Sequence, residues 1–300
     1  MDKNLIIGID LGGTKIMVGA ITKEGKIIGE PIKVPTGSSD SAEDIVKRII
    51  NSVEKVLLNN TTKMNEVLGI GIGSTGPLDI KDGIILECPQ LPTMNFFPLR
   101  ETIKKYFNIP VFMNNDANCL IYGETIFGAA AGKKNVVGFT LGTGIGAAIV
   151  LNQKLFNGST DTAGEVWISP YKGGIIEDYI SGEGVSNIYK TISGKEKSSL
   201  DIFNLAETGD KDAIETWKEF GKHLAFAIAW SVNLIDPEVI ILGGSISNAY
   251  EFFAESLEKN LRKSICPVPS EKTKIVIASL GEFAGFIGAA SLVLEQRLEL

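Results

Sequence analysis

The sequence has little of three things: one histidine, three cysteines and no long apolar run. Cys88, Cys119 and Cys266 are odd in number and far apart, which excludes a disulfide framework and suits a reducing compartment; they read as small buried hydrophobes. The N-terminus passes from Met1-Asp2-Lys3-Asn4 straight into Leu5-Ile6-Ile7, too short a run for a signal peptide or a membrane span. A cytoplasmic location without membrane contact is therefore expected. Basic patches are also missing. With 29 Lys+Arg against 36 Asp+Glu the formal net charge is -7, which repels phosphate backbones, so no nucleic-acid partner is expected.

What is present is a chain of 300 residues, 44% hydrophobic, long enough for two lobes. Strand-like runs at 5–10, 15–22 and 26–33, punctuated by Gly12-Gly13 and Lys23-Glu24-Gly25, predict an antiparallel meander. Apolar residues at Ile45, Ile49, Val53, Val56 and Leu57 predict a helix over 41–58, with Ser39, Asp40 or Ser41 as its cap. A strand at 67–72, a helix at 99–107 and a strand at 111–113 follow, so the sheet becomes partly parallel. The second half restarts with a strand at 135–141, a turn at Gly142-Thr143-Gly144 and a returning strand at 145–151. Helices at 211–235, 250–262 and 285–298, with strands at 239–242 and 274–278, complete the pattern. The expected class is α/β with an N-terminal lobe at 1–117, a C-terminal lobe at 118–300 hinged near Asn118, and the stretch from about 285 to 300 packing back on the first lobe.

Three motifs carry chemistry. Asp10-Leu11-Gly12-Gly13-Thr14-Lys15 puts a carboxylate at a strand end, then backbone that can approach an anion, a hydroxyl and a cation. A plain hairpin turn would explain one such motif, but Leu141-Gly142-Thr143-Gly144-Ile145-Gly146 provides a second. Its alternate glycines weaken a strand unless something sits against them, and it leads into a strand, so a dinucleotide fingerprint fails on context. Asp10 can hold magnesium, through water, while Gly12, Gly13, Thr14 and Lys15 and, in the second loop, Gly142, Thr143 and Gly144 meet phosphate oxygens. The third motif, Asn114-Asn115-Asp116-Ala117-Asn118, follows a strand and precedes a helix. Helix capping explains one such polar residue; four of them point to a carboxylate that takes a proton from a hydroxyl, flanked by amides that fix the substrate.

The order and spacing of these motifs resemble the ROK family of bacterial sugar kinases and related repressors, within the actin-like ATPase and hexokinase superfamily. The similarity covers nearly the whole chain: Gly69 to Asp79 resembles the family's sugar-side loop and Val239 to Gly244 its adenosine loop. The resemblance implies two ribonuclease-H-like lobes around a central cleft, Asp116 as general base, and ATP with Mg2+ as phosphoryl donor. It implies sugar contacts from Ser74, Thr75, Asn95, Asn115, Glu165 and Glu177, nucleotide contacts from Gly243 and Gly244, and a homodimer. The implied substrate is a hexose, glucose or an N-acetylhexosamine. Two rivals come with it: a sugar-sensing regulator, for which a first strand at Leu5 leaves no room for a DNA-binding module, and a weakly active sugar-binding protein.

The chain departs from the family after Ala163-Gly164-Glu165. The family continues x-Gly-His into a cysteine-rich zinc loop, where this chain reads Val166-Trp167-Ile168-Ser169-Pro170-Tyr171-Lys172-Gly173-Gly174. With no cysteine between Cys119 and Cys266, and His223 alone, no tetrahedral zinc site can be assembled, and no structural zinc is expected. His223 reads as a helix residue with a satisfied ring. For the missing family histidine, either Trp167 or Tyr171 supplies a stacking surface or the sugar specificity differs.

Overall fold

The structure, a computed structural model, describes residues 4–295. Its first stretch runs β1 (Leu5–Leu11), β2 (Lys15–Thr22), β3 (Ile27–Pro35), α1 (Ala42–Asn59), β4 (Val67–Ser74), β5 (Leu78–Asp79), β6 (Ile84–Ile85), α2 (Leu99–Phe107), β7 (Val111–Asn115) and α3 (Asp116–Ile126). Next come β8 (Val136–Leu141), β9 (Ile145–Leu151), β10 (Lys154–Leu155), β11 (Pro170–Tyr171) and β12 (Gly174–Ile175). The helices α4 (Glu177–Ile180), α5 (Gly182–Ser193), α6 (Ser199–Glu207) and α7 (Lys211–Ile235) precede β13 (Val239–Gly243), α8 (Tyr250–Ser264), α9 (Pro267–Lys272), β14 (Lys274–Ile277) and α10 (Ala284–Glu295). The described chain divides into two compact units, one of residues 4–132, 157–161 and 279–295, the other of 133–156 and 162–278. Of the closing helix expected over 285–298, residues 296–298 lie outside the described residues.

The first unit's sheet has the order β3-β2-β1-β4-β7. Its first three strands form the antiparallel meander read from the turn signals, and β4 and β7 add in parallel. One face is covered by α1 and α2. In α1 the Ser41 hydroxyl accepts the N–H of Asp44, and Ile45, Val46, Ile49, Val53, Val56 and Leu57 are buried on one stripe. The other face takes α10, whose Phe286, Ile287, Ala290 and Val293 meet Ile6, Met17, Ile21 and Leu68. The alternation in β4 explains this sidedness. Ile70 and Ile72 belong to the first core, while a Cβ on Gly71 would stand 1.7 Å from the Ala289 carbonyl oxygen of α10. A side chain at Gly71 would force α10 off the sheet.

The second unit's sheet has the order β10-β9-β8-β13-β14, again an antiparallel run followed by two parallel strands. The two sheets share one plan, the ribonuclease-H-like arrangement expected for both lobes. Its core gathers Phe139, Leu141, Ile240 and Leu242 from the strands with Trp217, Phe220, Leu224, Ile228, Phe253 and Leu257 from α7 and α8. Helices α5 and α6, which no periodicity announced, pack Val185, Tyr189 and Ile202 onto the same core. The cysteines are free; Cys88 and Cys119 are buried as expected, but Cys266 is exposed, because it caps the short helix α9 from a surface turn where its N–H is bonded to Asn233.

Candidate active site

In the first unit three strand ends converge. Asp10 on β1 pairs in register with Gly73 on β4, and Ser74 on β4 with Asn115 on β7, so β4 stands between the carboxylate of β1 and the polar run that closes β7. Asp116 opens α3 directly after β7. The Asp10 carboxyl is pushed up to about 6, first by burial, then by the negative charge of Asp116, against the pull of Lys15. Among the described residues none donates a hydrogen bond to it, and Gly285 of α10 lies so close that an added Cβ would meet the carboxyl at 2.7 Å. Burial beside the same two carboxylates also raises the Cys119 thiol well above its ordinary value and keeps it inert.

The β1–β2 turn is clamped from one side. The Gly12 N–H is bonded to the Lys15 carbonyl at 3.0 Å, and Thr36 donates its hydroxyl to the Gly12 carbonyl at 2.6 Å and its N–H to that of Thr14. Thr14 is exposed at the tip. The Thr75 N–H reaches the Leu11 carbonyl, tying the loop after β4 to the end of β1, while the buried Ser74 hydroxyl turns to the Thr75 carbonyl.

The amides split their work. Asn115 caps α3, its Oδ1 accepting from the N–H groups of Ala117 and Asn118. Asn114 and Asn118 are buried and bonded to each other at 2.8 Å, with Asn157 completing the cluster. They brace the turn that presents Asp116. Asn95 is exposed, its Oδ1 accepting the Cys88 N–H. Sequence reasoning missed Glu124. Fully buried on α3, it accepts from the N–H groups of Ala129, Ser279 and Leu280 and the Ser279 hydroxyl, and so fastens α3 to the point where the chain re-enters the first unit. Its helical position gave no signal, since its partners are remote in sequence.

In the second unit the β8–β9 turn is built likewise, with the Gly142 N–H on the Gly144 carbonyl at 3.0 Å. What sits against its glycines is Glu177, which opens α4 and accepts the Ile145 N–H at 2.9 Å. Gly244 follows β13 with φ 83° and lies against Leu141, so the candidate adenosine loop abuts the same turn. Glu165 is exposed and its carboxylate accepts the Trp167 indole N–H. Tyr171 is bonded to His223 at 2.9 Å, giving that histidine the satisfied ring expected of it. Among the described residues no group of three or more His, Cys, Asp or Glu could hold a metal ion.

The ROK family matches residues 6–296. The chain belongs to the ROK family. It is 31% identical to a glucokinase of Thermotoga maritima, over 99% of both chains, and 30% identical to an N-acetyl-D-glucosamine kinase of Photobacterium profundum, over 95% of this chain and 98% of the other. Among solved structures it resembles a ROK family glucokinase from Streptomyces griseus in complex with glucose and AMPPNP, with a TM-score of 0.79 and 29% identity over 96% of this chain and 98% of that one.

Proposed function

We propose that this chain is an ATP-dependent sugar kinase that phosphorylates a hexose, glucose or an N-acetylhexosamine, at a primary hydroxyl, with Asp116 as general base. The observation that carries the reading is the pair Asp10 and Asp116, two carboxylates at the ends of β1 and β7 on either side of β4, near enough for one to raise the other, in a ROK family chain. Support for the substrates comes from relatives named glucokinase and N-acetyl-D-glucosamine kinase and from the neighbour solved with glucose and an ATP analogue.

The two carboxylates have different tasks. One Asp116 oxygen accepts the Ala117 N–H at 2.8 Å, which fixes the carboxylate's direction at the helix start. Asp116 takes the proton of the sugar hydroxyl as its oxygen bonds to the γ-phosphorus; the bond from that phosphorus to the β-phosphate oxygen breaks and ADP leaves in line. The family resemblance assigns hydroxyl hydrogen bonds with the sugar to Asn115, Asn95, Ser74 and Thr75, and to Glu165. It assigns phosphate contacts to the backbone N–H groups of the Gly-Thr turns, with Thr14 and Lys15, and adenosine contacts to Gly243 and Gly244. Asp10 fits magnesium: a largely buried carboxyl raised by burial and a like charge, with no hydrogen bond among the described residues, would be relieved by a cation that keeps most of its water. When bound with ATP, magnesium supplies charge neutralisation along the polyphosphate.

We place the enzyme in the cytoplasm with no nucleic-acid partner, and as a homodimer. No described helix is long and apolar enough to cross a membrane. Phe226, Trp230 and Leu234 form an exposed apolar stripe on α7 that supports association with a second copy. The test is an ATP-coupled assay over a panel of hexoses and N-acetylhexosamines with the wild type and Asp116→Ala. Loss of about 10²–10⁴-fold in kcat, with an unchanged melting temperature, is expected; near-native turnover by Asp116→Ala sinks the assignment.

A further inference from the structure

The segment 165–177 carries a candidate sugar carboxylate at its start, and between Glu165 and Glu177 it has only a single 3-10 turn at Val166–Ile168 and the two-residue pairing of β11 with β12. Such backbone keeps one conformation only where side chains pin it. Two pins are present. Gly164, at φ 94°, lies against β9 so closely that a Cβ would stand 2.3 Å from the Ala147 carbonyl oxygen. Further on, Tyr171 is bonded through its hydroxyl to Nδ1 of the buried His223, with Phe226 against its ring at 4.5 Å and the Lys172 ammonium over it at 5.6 Å. Burial, helped by Lys172, pushes His223 down to about 4, so the ring is neutral and shares one hydrogen bond with the tyrosine hydroxyl. A ring held in this way anchors the loop.

Trp167 lies between these two points; like Tyr171 it is partly buried against the core, but its polar atom meets a different partner. Its indole packs on the edge of the core but stays partly exposed, and its Nε1–H donates to the exposed carboxylate of Glu165. A carboxylate accepts from vicinal hydroxyls, while an aromatic face packs against the C–H face of a pyranose, so the two groups together match both sides of a sugar. We infer that Trp167 is a specificity-determining residue for the acceptor sugar: its indole N–H orients Glu165 and its ring supplies the apolar platform. This rests on the sugar-kinase reading above.

The test combines kinetics with the residue's own fluorescence. Trp167→Ala removes donor and platform and raises the sugar KM by about 30-fold; Trp167→Phe keeps a ring and raises it by about 5-fold; Trp167→His, which restores an N–H donor, recovers part of the loss, all with the ATP KM unchanged. Glucose or N-acetylglucosamine changes the emission of the wild type, and that change disappears in Trp167→Phe although calorimetry still shows sugar binding. The fluorescence titration needs no disruptive variant, so it holds even if Trp167→Ala folds poorly. A wild type that phosphorylates sugar while Trp167→Ala leaves the sugar KM within twofold, or while sugar leaves the emission unmoved, overturns this inference alone. A wild type that turns over no sugar overturns the kinase reading and this inference with it.

Discussion

The two Gly-Thr turns are built on the same strand plan and differ in what stands behind them. In the first, Leu11 pairs with Ile16 and the turn holds Gly12 to Lys15; in the second, Leu141 pairs with Ile145 and the turn is one residue shorter, with no lysine. The position that is Asp10 in β1 is Thr140 in β8. The first turn thus carries its own carboxylate and cation, and that carboxylate has no hydrogen bond among the described residues. The second borrows Glu177 from a helix, and this carboxylate is spent on the turn's own Ile145 N–H. An unpaired carboxylate raised by burial is poised for a ligand, whereas a carboxylate bonded to backbone maintains a shape. One plan therefore yields a chemical turn and a holding turn.

The largest expected effect comes from Asp10. Asp10→Asn should lower kcat/KM by about 100-fold or more, because the group that draws in the cation with ATP is gone. The same variant should stabilise the ligand-free protein. The folded value, about 6, lies above the ordinary 3.8, so the protonated form is favoured on folding; that contribution is complete below about pH 4 and lost as pH rises through 6. At neutral pH the charged Asp10 costs about 3 kcal/mol, and Asn, carrying no charge, should melt a few degrees higher at pH 7.5 but not at pH 4. Wild-type activity should accordingly fall as pH drops below about 6. A variant that is inactive and also less stable at pH 7.5 breaks the contrast between the turns.

Glu177→Gln gives a smaller, directional result. The resemblance assigns Glu177 to the sugar, while its bond to Ile145 assigns it to the turn proposed to meet phosphate. If it supports the turn, the ATP KM should rise by about 10-fold with the sugar KM nearly unchanged, the size expected for loss of one charge-assisted hydrogen bond. Measurement of both KM values separates the readings, since a rise confined to the sugar KM returns Glu177 to the acceptor site.

Much of this contrast was visible in the residues. Helices α2 and α7 fall at the boundaries set by their apolar spacing, both turns were marked by glycine and threonine between strand-like runs, and Asp10 and Asp116 were singled out as carboxylates at strand ends. Hidden were features whose partners are distant in sequence. Glu124 reads as an ordinary helix residue until its bonds to Ser279 and Leu280 are seen, and the anchoring of Tyr171 by His223 joins a loop to a helix. Helix α5 breaks its apolar spacing with Gly and Ser, and α6 is a run of nine residues, too short for periodicity to mark it as a helix. Trp167 and Tyr171 are equal candidates by composition and both are partly buried; only their polar partners, Glu165 for one and His223 for the other, distinguish them.

The finest test substitutes alanine in each turn. A Cβ on Gly12 would meet only the Lys15 carbonyl oxygen at 3.5 Å, and one on Gly142 nothing nearer than the Ser245 hydroxyl at 3.9 Å, so both sites have room and neither glycine needs a positive φ. Stability should therefore change by less than about 0.5 kcal/mol in either variant. Any kinetic effect then reports what the added methyl keeps away from the backbone. If both turns receive phosphate, Gly12→Ala and Gly142→Ala should each raise the ATP KM by about 3- to 10-fold, and since neither methyl touches Asp116, kcat should stay within a few-fold of wild type. A response at Gly142 with none at Gly12 would remove the first turn from phosphate binding and leave it only the chemistry of Asp10; the reverse would reduce the second turn to a fold element.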